Sequence, residues 1–317
     1  MGPFAPAICV ALFLLANLLI VWRLEALSER GVEGTVLGTI FMPFCSGMGN
    51  LVFAVSLALN RGEGHDLLVN ALFNNATNLT LLLGLPALIW GMASLPRKKS
   101  KAAMREFRVG RLAISLNLMA AFFFSLFVWL LAADGELGRT DGGMLVALFV
   151  FWQLFHLYDV KKTNLLKSKS YPKTLPFEAV LLLLGAVAVF VSADWLVWWF
   201  GVSPVTRDFP PGALGLAGGV LMVLPNALLA FYYGARDRMD VVYTSQSGDA
   251  HVCIPLSIGL FALIRPIAAG AFLQRSLTLL MALCAVHLFF VAAFGRLPRV
   301  FAGGIAGAFF VFLWLLS

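Results

Sequence analysis

The feature that most constrains this chain is a series of apolar stretches, each about as long as a bilayer is thick. A spanning helix needs roughly 20 mostly apolar residues at about 1.5 Å of rise each. Such stretches occupy 4–22, 35–59, 67–93, 112–133, 143–158, 177–200, 212–234, 241–264, 276–294 and 300–316, with short polar segments between them. The surroundings fit: 61% of the 317 residues are hydrophobic and 12% charged, with a mean hydropathy of +0.90. A soluble domain is about half apolar and about a quarter charged. These charges are too few to clothe a core of this size in water. The expectation is an all-α polytopic membrane protein with about ten transmembrane helices. No Lys or Arg precedes the first stretch and Arg23 follows it, which lacks the basic start of a cleaved signal and reads as a retained anchor with its N-terminus outside.

The formal net charge of +7 would suit a nucleic-acid binder, but its distribution argues otherwise. One loop holds Arg97, Lys98, Lys99, Lys101, Arg105, Arg108 and Arg111, and another holds Lys161, Lys162, Lys167, Lys169 and Lys173. With ten spans and an outside N-terminus, both loops are cytoplasmic, and 18 of the 23 basic residues lie inside against 5 outside. That asymmetry is the positive-inside signal. It predicts both termini on the periplasmic or extracellular side, a lipid bilayer as partner and no nucleic acid. Cys9, Cys45, Cys253 and Cys284 fall in apolar stretches without metal-ligand spacing, so neither a disulfide framework nor a zinc site is expected.

The chain also repeats itself. Gly84-Leu-Pro-Ala-Leu-Ile89 recurs as Gly259-Leu-Phe-Ala-Leu-Ile264, with five of six positions identical. The same offset pairs Asn70 with Ser245, Asn74 with Asp249 and Asn78 with Cys253. A shift of one residue then pairs Asn50 with Asn226. The first members lie in spans two and three and the second in spans seven and eight. Five helices per half is an odd number, so the halves would enter the membrane with opposite orientation, as in many secondary transporters whose ion site lies between the repeats. The expected division is a first five-helix repeat over 1–160, a basic cytoplasmic linker over 161–176 and a second repeat over 177–317. The ion-site helices would be 35–59, 67–93, 212–234 and 241–264.

Within these spans the polar residues form stripes. Asn70, Asn74 and Asn78 share one helical face, with Asn75 and Thr77 beside them, and Ser245, Asp249 and Cys253 form the equivalent stripe. Span two adds Ser46 and Asn50 around Gly47-Met48-Gly49, read as a helix break. Span seven adds Asn226 after Pro225, which removes a backbone donor and frees a carbonyl. Amides, hydroxyls, freed carbonyls and one carboxylate are hard oxygen ligands, suited to Na⁺, K⁺, Ca²⁺ or Mg²⁺. Interhelical hydrogen bonding explains a lone Asn such as Asn117. Two matched stripes with matched breaks point instead to an ion pathway. His251 faces away from the Asp249 stripe and reads as packing, and Gly34xxxGly38 and Gly215xxxGly219 read as close helix approaches.

These segments resemble the α-repeats of the cation/calcium exchanger superfamily, which read approximately Thr-Ser-x-Pro-Glu and then Gly-Asn-x-x-Gly-Ser-Asn-x-x-Asn/Asp. The first becomes Ser46-Gly-Met-Gly-Asn50 and Val69-Asn70-Ala-Leu-Phe-Asn74-Asn75-Ala-Thr-Asn78. The second becomes Met222-Val-Leu-Pro225-Asn226 and Thr244-Ser245-Gln-Ser-Gly248-Asp249-Ala-His-Val-Cys253. The resemblance implies five-plus-five inverted repeats and exchange of Na⁺, H⁺ or K⁺ against Ca²⁺ by alternating access, with outer helices led by spans one and six rocking against an eight-helix core. It departs from the pattern where the family's two ligand glutamates fall on Asn50 and Asn226. Cys253 stands at a family Asp/Asn, and Asp249 at a family serine.

The resulting expectation is a secondary-active cation transporter resembling sodium/calcium exchangers. Its midplane site would be lined by Asn50, Asn74, Asn78, Asn226, Ser245 and Asp249, with Ser46, Asn70, Asn75 and Cys253 as further candidates. The cargo would be Na⁺, H⁺, K⁺ or Ca²⁺, and no organic cofactor is expected. Two alternatives stand beside it: a monovalent cation/proton antiporter with Asp249 as titrating group, and a non-transporting membrane sensor or scaffold that keeps the fold. A membrane-embedded enzyme ranks last, because the chain has no HExxH, no GxSxG and no compact His/Asp cluster in its spans.

Overall fold

A computed structural model describes residues 4–29, 42–60, 62–91, 101–167, 175–206 and 208–316. Gly34xxxGly38, the start of span two at 35–41, the basic residues 97–99, 169 and 173, and the side chain of Ser46 lie outside the described residues. The described chain holds ten long helices. They are α1 (Ala5–Glu29), α2 (Met42–Leu59), α3 (Gly64–Ile89), α4 (Lys101–Leu131), α5 (Arg139–Lys167), α6 (Leu175–Val202), α7 (Ala213–Gly234), α8 (Met239–Ile264), α9 (Ala271–Phe294) and α10 (Arg299–Leu316). Eight of them are long and apolar enough to cross a membrane. The other two, α2 and α5, occur where the second and fifth spans are expected. α5 continues through Lys167, so the first part of the expected linker is helix. Glycine in left-handed backbone closes α9, where Gly295 has φ +64°, a conformation that costs other residues a steric clash.

Polarity is arranged inside out relative to a soluble protein. Asn50, Asn70, Asn74, Asn75, Asn78, Asn226 and Asp249 are buried, while Phe4, Trp22, Phe151, Phe177, Leu183, Phe310 and Trp314 are exposed. Water would penalise that outer surface, whereas hydrocarbon accepts it. Of the eight, the two least apolar helices are the most enclosed. The apolar windows of α3 and α8 are 78% and 83% buried, against 22% for both α1 and α10.

Helices pair in an ordered way: α1 along α6, α4 along α9, α3 along α7, α5 against the last turns of α8, and α10 against the end of α3. Contacts between helix ends follow strict alternation of direction. After α4, the two-residue strand β1 (Glu136–Leu137) pairs antiparallel with β2 (Ile267–Ala268), which follows α8. Arg265 Nη1 donates to the Gly62 carbonyl at 2.8 Å, and the Gly215 N–H at the start of α7 donates to Asp66 at 3.0 Å near the start of α3. At the opposite ends, Arg23 late in α1 pairs with Glu178 in the first turn of α6 at 3.5 Å, and Arg299 reaches the Ile89 carbonyl at 3.5 Å.

The helix breaks differ from expectation. α2 runs unbroken through Gly47-Met48-Gly49, and α7 through Pro225. The glycines instead permit close approach. A Cβ on Gly47 would fall 2.6 Å from Val252 Cβ, and one on Gly49 2.3 Å from Met222 Sδ. Gly215 likewise allows α7 to touch α3, since a Cβ there would meet the Asp66 carbonyl at 2.1 Å. The irregular turns lie in α3 and α8, which contain π-helical segments over Asn78–Leu82 and Val252–Ser257. Both helices are 26 residues long. The offset of 175 residues that aligns Asn74 with Asp249 also carries Gly64 to Met239, Ile89 to Ile264, and the π-turn of α3 into that of α8.

Candidate functional site

The π-turns shape the centre of the molecule. A π-turn accommodates one extra residue and displaces carbonyls from their helical donors. At membrane depth those carbonyls need other partners. In α3 the Leu83 N–H bonds to the Asn78 carbonyl, five residues back. The Leu79 carbonyl meets His287 Nε2 at 2.8 Å, and Thr80 Oγ1 donates to the Ala76 carbonyl at 2.5 Å. In α8 the π-turn contains Pro255, which has no N–H to give, and Ser257 Oγ donates to the Val252 carbonyl at 3.2 Å.

Beside these turns, three amides converge on one carboxylate. Asp249 Oδ2 accepts from Asn74 Nδ2, from Asn78 Nδ2 at 2.8 Å and from Asn226 Nδ2 at 3.2 Å. All four side chains are buried. Asn226 Nδ2 also lies 3.5 Å from Asn78 Oδ1, and Asn74 Nδ2 lies 3.5 Å from Cys253 Sγ. Residues from α3, α7 and α8 thus meet at one point, and the negative charge of the cluster resides on Asp249. Hydrogen bonds to an ionised carboxylate are among the stronger ones in proteins, each contributing about 1.5–3 kcal/mol.

The remaining expected residues divide. Asn50 is buried, and neither its amide oxygen nor its amide nitrogen has a hydrogen-bond partner among the described residues. The same holds for Asn70, whose nitrogen is close to Gly218: a Cβ there would approach it to 2.9 Å. Asn75 turns to its own helix, donating to the Ala71 carbonyl at 2.7 Å. Ser245 also turns to its own helix, its hydroxyl donating to the Val242 carbonyl at 3.1 Å and accepting from Gln246 at 3.2 Å. The oxygens Oδ1 of Asn74 and Asn226 and Oε1 of Gln246 are buried without a hydrogen-bond partner among the described residues.

Gln246 is the residue that stripe counting underrates. Its Nε2 reaches the Asn226 carbonyl at 3.3 Å. Its signal is the three-residue spacing to Asp249, which shares a helical face nearly as well as four. His251 faces α4 and α5, between the Trp152 indole and the Asn117 carbonyl. Asp194 of α6 accepts from Ser56 Oγ of α2 at 2.5 Å.

Fold and centre together define a class: a multi-pass α-helical membrane protein with a polar cluster enclosed between two equivalent interrupted helices. Comparison with known proteins agrees. Residues 4–158 match the sodium/calcium exchanger protein family. The chain is 24% identical over 285 residues to Inner membrane protein YrbG of Escherichia coli (strain K12), covering 82% of this chain and 81% of that protein. Among solved structures, the sodium-calcium exchanger NCX_Mj soaked with 2.5 mM Na⁺ and 0.1 mM Ca²⁺ matches over 100% of both chains at a TM-score of 0.70 and 16% identity. The same exchanger soaked with zero Na⁺ and Ca²⁺ matches at 0.66 and 16% identity, over 99% of this chain and 97% of that one. At such identity the structural likeness is one of fold. Over residues 4–158 the chain is thus similar to sodium/calcium exchanger proteins, and over its whole length it shares the fold of such an exchanger.

Proposed function

We propose that this protein exchanges cations across the membrane by alternating access, at a midplane site built on Asp249, Asn74, Asn78 and Asn226, with Asn50 and Gln246 adjoining. The observation that carries this reading is the convergence of three amide donors on one buried carboxylate between the two interrupted helices. An amide has a donor end and an acceptor end. With the carboxylate free of cargo, its NH₂ group faces the negative charge. When a cation arrives, rotation of the amide presents the oxygen instead. The unpartnered Oδ1 atoms of Asn50, Asn74 and Asn226 are the acceptors such a rotation would use. Asn70, Asn75, Ser245 and Cys253 belong to the surroundings of this site, where they shape the approach.

One carboxylate also sets a preference among cargoes. A monovalent ion is neutralised beside Asp249, whereas a dication keeps a net positive charge in a low-dielectric interior, which is costly. We therefore assign Na⁺ and H⁺ as better cargoes than Ca²⁺, with Asp249 as the group for which proton and cation compete. Cation binding should then weaken as pH falls, because protonation removes the charge that holds the ion. A competition screen of Na⁺, K⁺, Ca²⁺ and H⁺ flux in proteoliposomes tests the assignment. Absence of flux for all four would reduce the protein to a scaffold with an exchanger fold.

The proposed topology has ten crossings, inverted repeats over 1–160 and 177–317, and both termini outside. The alternating end contacts and the equal lengths and matching π-turns of α3 and α8 support it. The charge asymmetry supports its direction. The α1–α6 pair, tied by Arg23 and Glu178, is the unit that would rock. Single cysteines at the exposed positions Glu136 and Arg236, in a background freed of native cysteines, should label from outside and from the cytoplasm respectively. The reverse pattern, or both from one side, would refute the topology.

A further inference from the structure

Two buried histidines have no part in the proposed site, and their neighbours treat them differently. His251 Nδ1 accepts from the Trp152 indole N–H at 3.2 Å, and Nε2 faces the Asn117 carbonyl at 3.0 Å. His287 of α9 has its Nε2 2.8 Å from the Leu79 carbonyl and its Nδ1 3.1 Å from the Tyr243 hydroxyl. A carbonyl only accepts, so in each ring the Nε2 carries a proton. His251 therefore fastens α8 to α4 and α5, at the periphery of the site helices. His287 fastens together the two site helices themselves.

Leu79 is the second residue of the π-turn in α3, directly after Asn78. Tyr243 lies in α8, six residues before Asp249. The Leu83 N–H, which would meet the Leu79 carbonyl in a regular α-helix, bonds to Asn78 instead. His287 supplies an N–H to the Leu79 carbonyl and connects it to α8 through Tyr243. The same helices are also joined at the site by the hydrogen bonds from Asn74 and Asn78 to Asp249. A cation that takes the carboxylate takes those bonds away, because the amides must turn their oxygens inward. The bridge through His287 uses no site atom and survives that exchange.

We propose that His287 and Tyr243 are positioning residues for cation binding, bracing the π-turn of α3 against α8 so that Asn74 and Asn78 stay within reach of Asp249 when cargo replaces their hydrogen bonds. The inference rests on reading the Asp249 cluster as the cation site. The full-length protein in nanodiscs provides two readouts, hydrogen–deuterium exchange of the segment 78–89 without added cation, and the half-saturating Na⁺ and Ca²⁺ concentrations for thermal stabilisation. Leaving a buried carbonyl without its donor should raise exchange in that segment and the half-saturating concentrations by about tenfold each in His287→Leu. His287→Gln, which can present an N–H to the Leu79 carbonyl, should recover most of both, and Tyr243→Phe should fall between.

A lower melting temperature with unchanged half-saturating concentrations would overturn the proposal, since that is the signature of mere packing. If the wild type shows no cation-dependent stabilisation, the cation reading itself fails, while exchange of the π-turn still reports on the brace. Unchanged exchange in His287→Leu would refute the brace independently. Should His287→Leu fail to fold, Tyr243→Phe and His287→Gln decide the matter. Wild-type exchange and affinity in both variants would overturn the brace.

Discussion

The helices α3 and α8 are the same device with different chemistry. Both are 26 residues long, both are largely enclosed, and both end in Gly-Leu-x-Ala-Leu-Ile after a π-turn at equivalent positions. The facing stripes differ. α3 presents Asn70, Asn74 and Asn78, all neutral, and α8 presents Ser245, Asp249 and Cys253, with the one charge of the set. The backbone device is thus shared by both helices, and the charge is carried by one. Geometry alone fixes where a π-turn is useful, whereas each added buried charge must be offset by cargo or by dipoles. Here one carboxylate is met by three amides, so the buried charge is not left bare.

Removing that charge should have the largest effect. Two unit charges about 4 Å apart attract by about 4 kcal/mol at an effective dielectric near 20. Asp249→Asn should therefore weaken Na⁺-dependent stabilisation by more than roughly a hundredfold and abolish flux. The fold should persist, since the new amide still offers an oxygen to Asn74 and Asn78. Combining Asp249→Asn with Asn74→Asp moves the charge from α8 to α3. Partial recovery of cation binding would show that the helices are interchangeable around the cargo. Undiminished transport by Asp249→Asn alone would mean that Asp249 is structural.

A smaller and opposite effect is expected from adding charge where the exchangers that this chain resembles carry glutamate. Ca²⁺ sites gather several oxygens, and affinity follows the number of carboxylates among them. Asn50→Glu with Asn226→Glu should raise Ca²⁺ affinity by at least about tenfold relative to Na⁺. Calcium-induced thermal stabilisation at matched Na⁺ and pH measures it. Tight calcium binding by the wild type would show that amides and carbonyls suffice, and the charge argument would fall.

The helical membrane fold was legible because a bilayer imposes one dominant rule, a run of apolar residues long enough to cross it. The convergence of Asn74, Asn78, Asn226 and Asp249 follows from helical spacing and the offset between the repeats. Three features escaped that arithmetic. Gly47 and Gly49 read as a break in α2, yet they serve contact with Val252 and Met222, because a glycine's signature is the same whether it bends a backbone or admits a neighbour. The π-turns have no residue signature of their own, and they shift every later residue around the helix. Ser245 shares the Asp249 stripe but spends its hydroxyl on the Val242 carbonyl. Short hydroxyl side chains commonly make that local bond, and spacing does not reveal it.

The smallest expected effect tests whether the asymmetry extends beyond the charge, to the equivalent positions Asn78 and Cys253. Asn78 Nδ2 donates to Asp249 at 2.8 Å, whereas Cys253 Sγ lies 3.5 Å from Asn74 Nδ2. The first is a hydrogen bond to a charged oxygen, worth about 1.5–3 kcal/mol. The second involves sulfur, a weak acceptor, and truncation there removes little more than one buried group, about 0.8 kcal/mol on the scale of a methylene. In cation-free buffer, Asn78→Ala should lower the melting temperature clearly more than Cys253→Ala. The comparison is made without cargo because binding would rearrange the amides and mix two effects. Equal losses would mean that the thiol supports Asp249 as strongly as the amide does. The two halves would then differ only in the placement of the carboxylate.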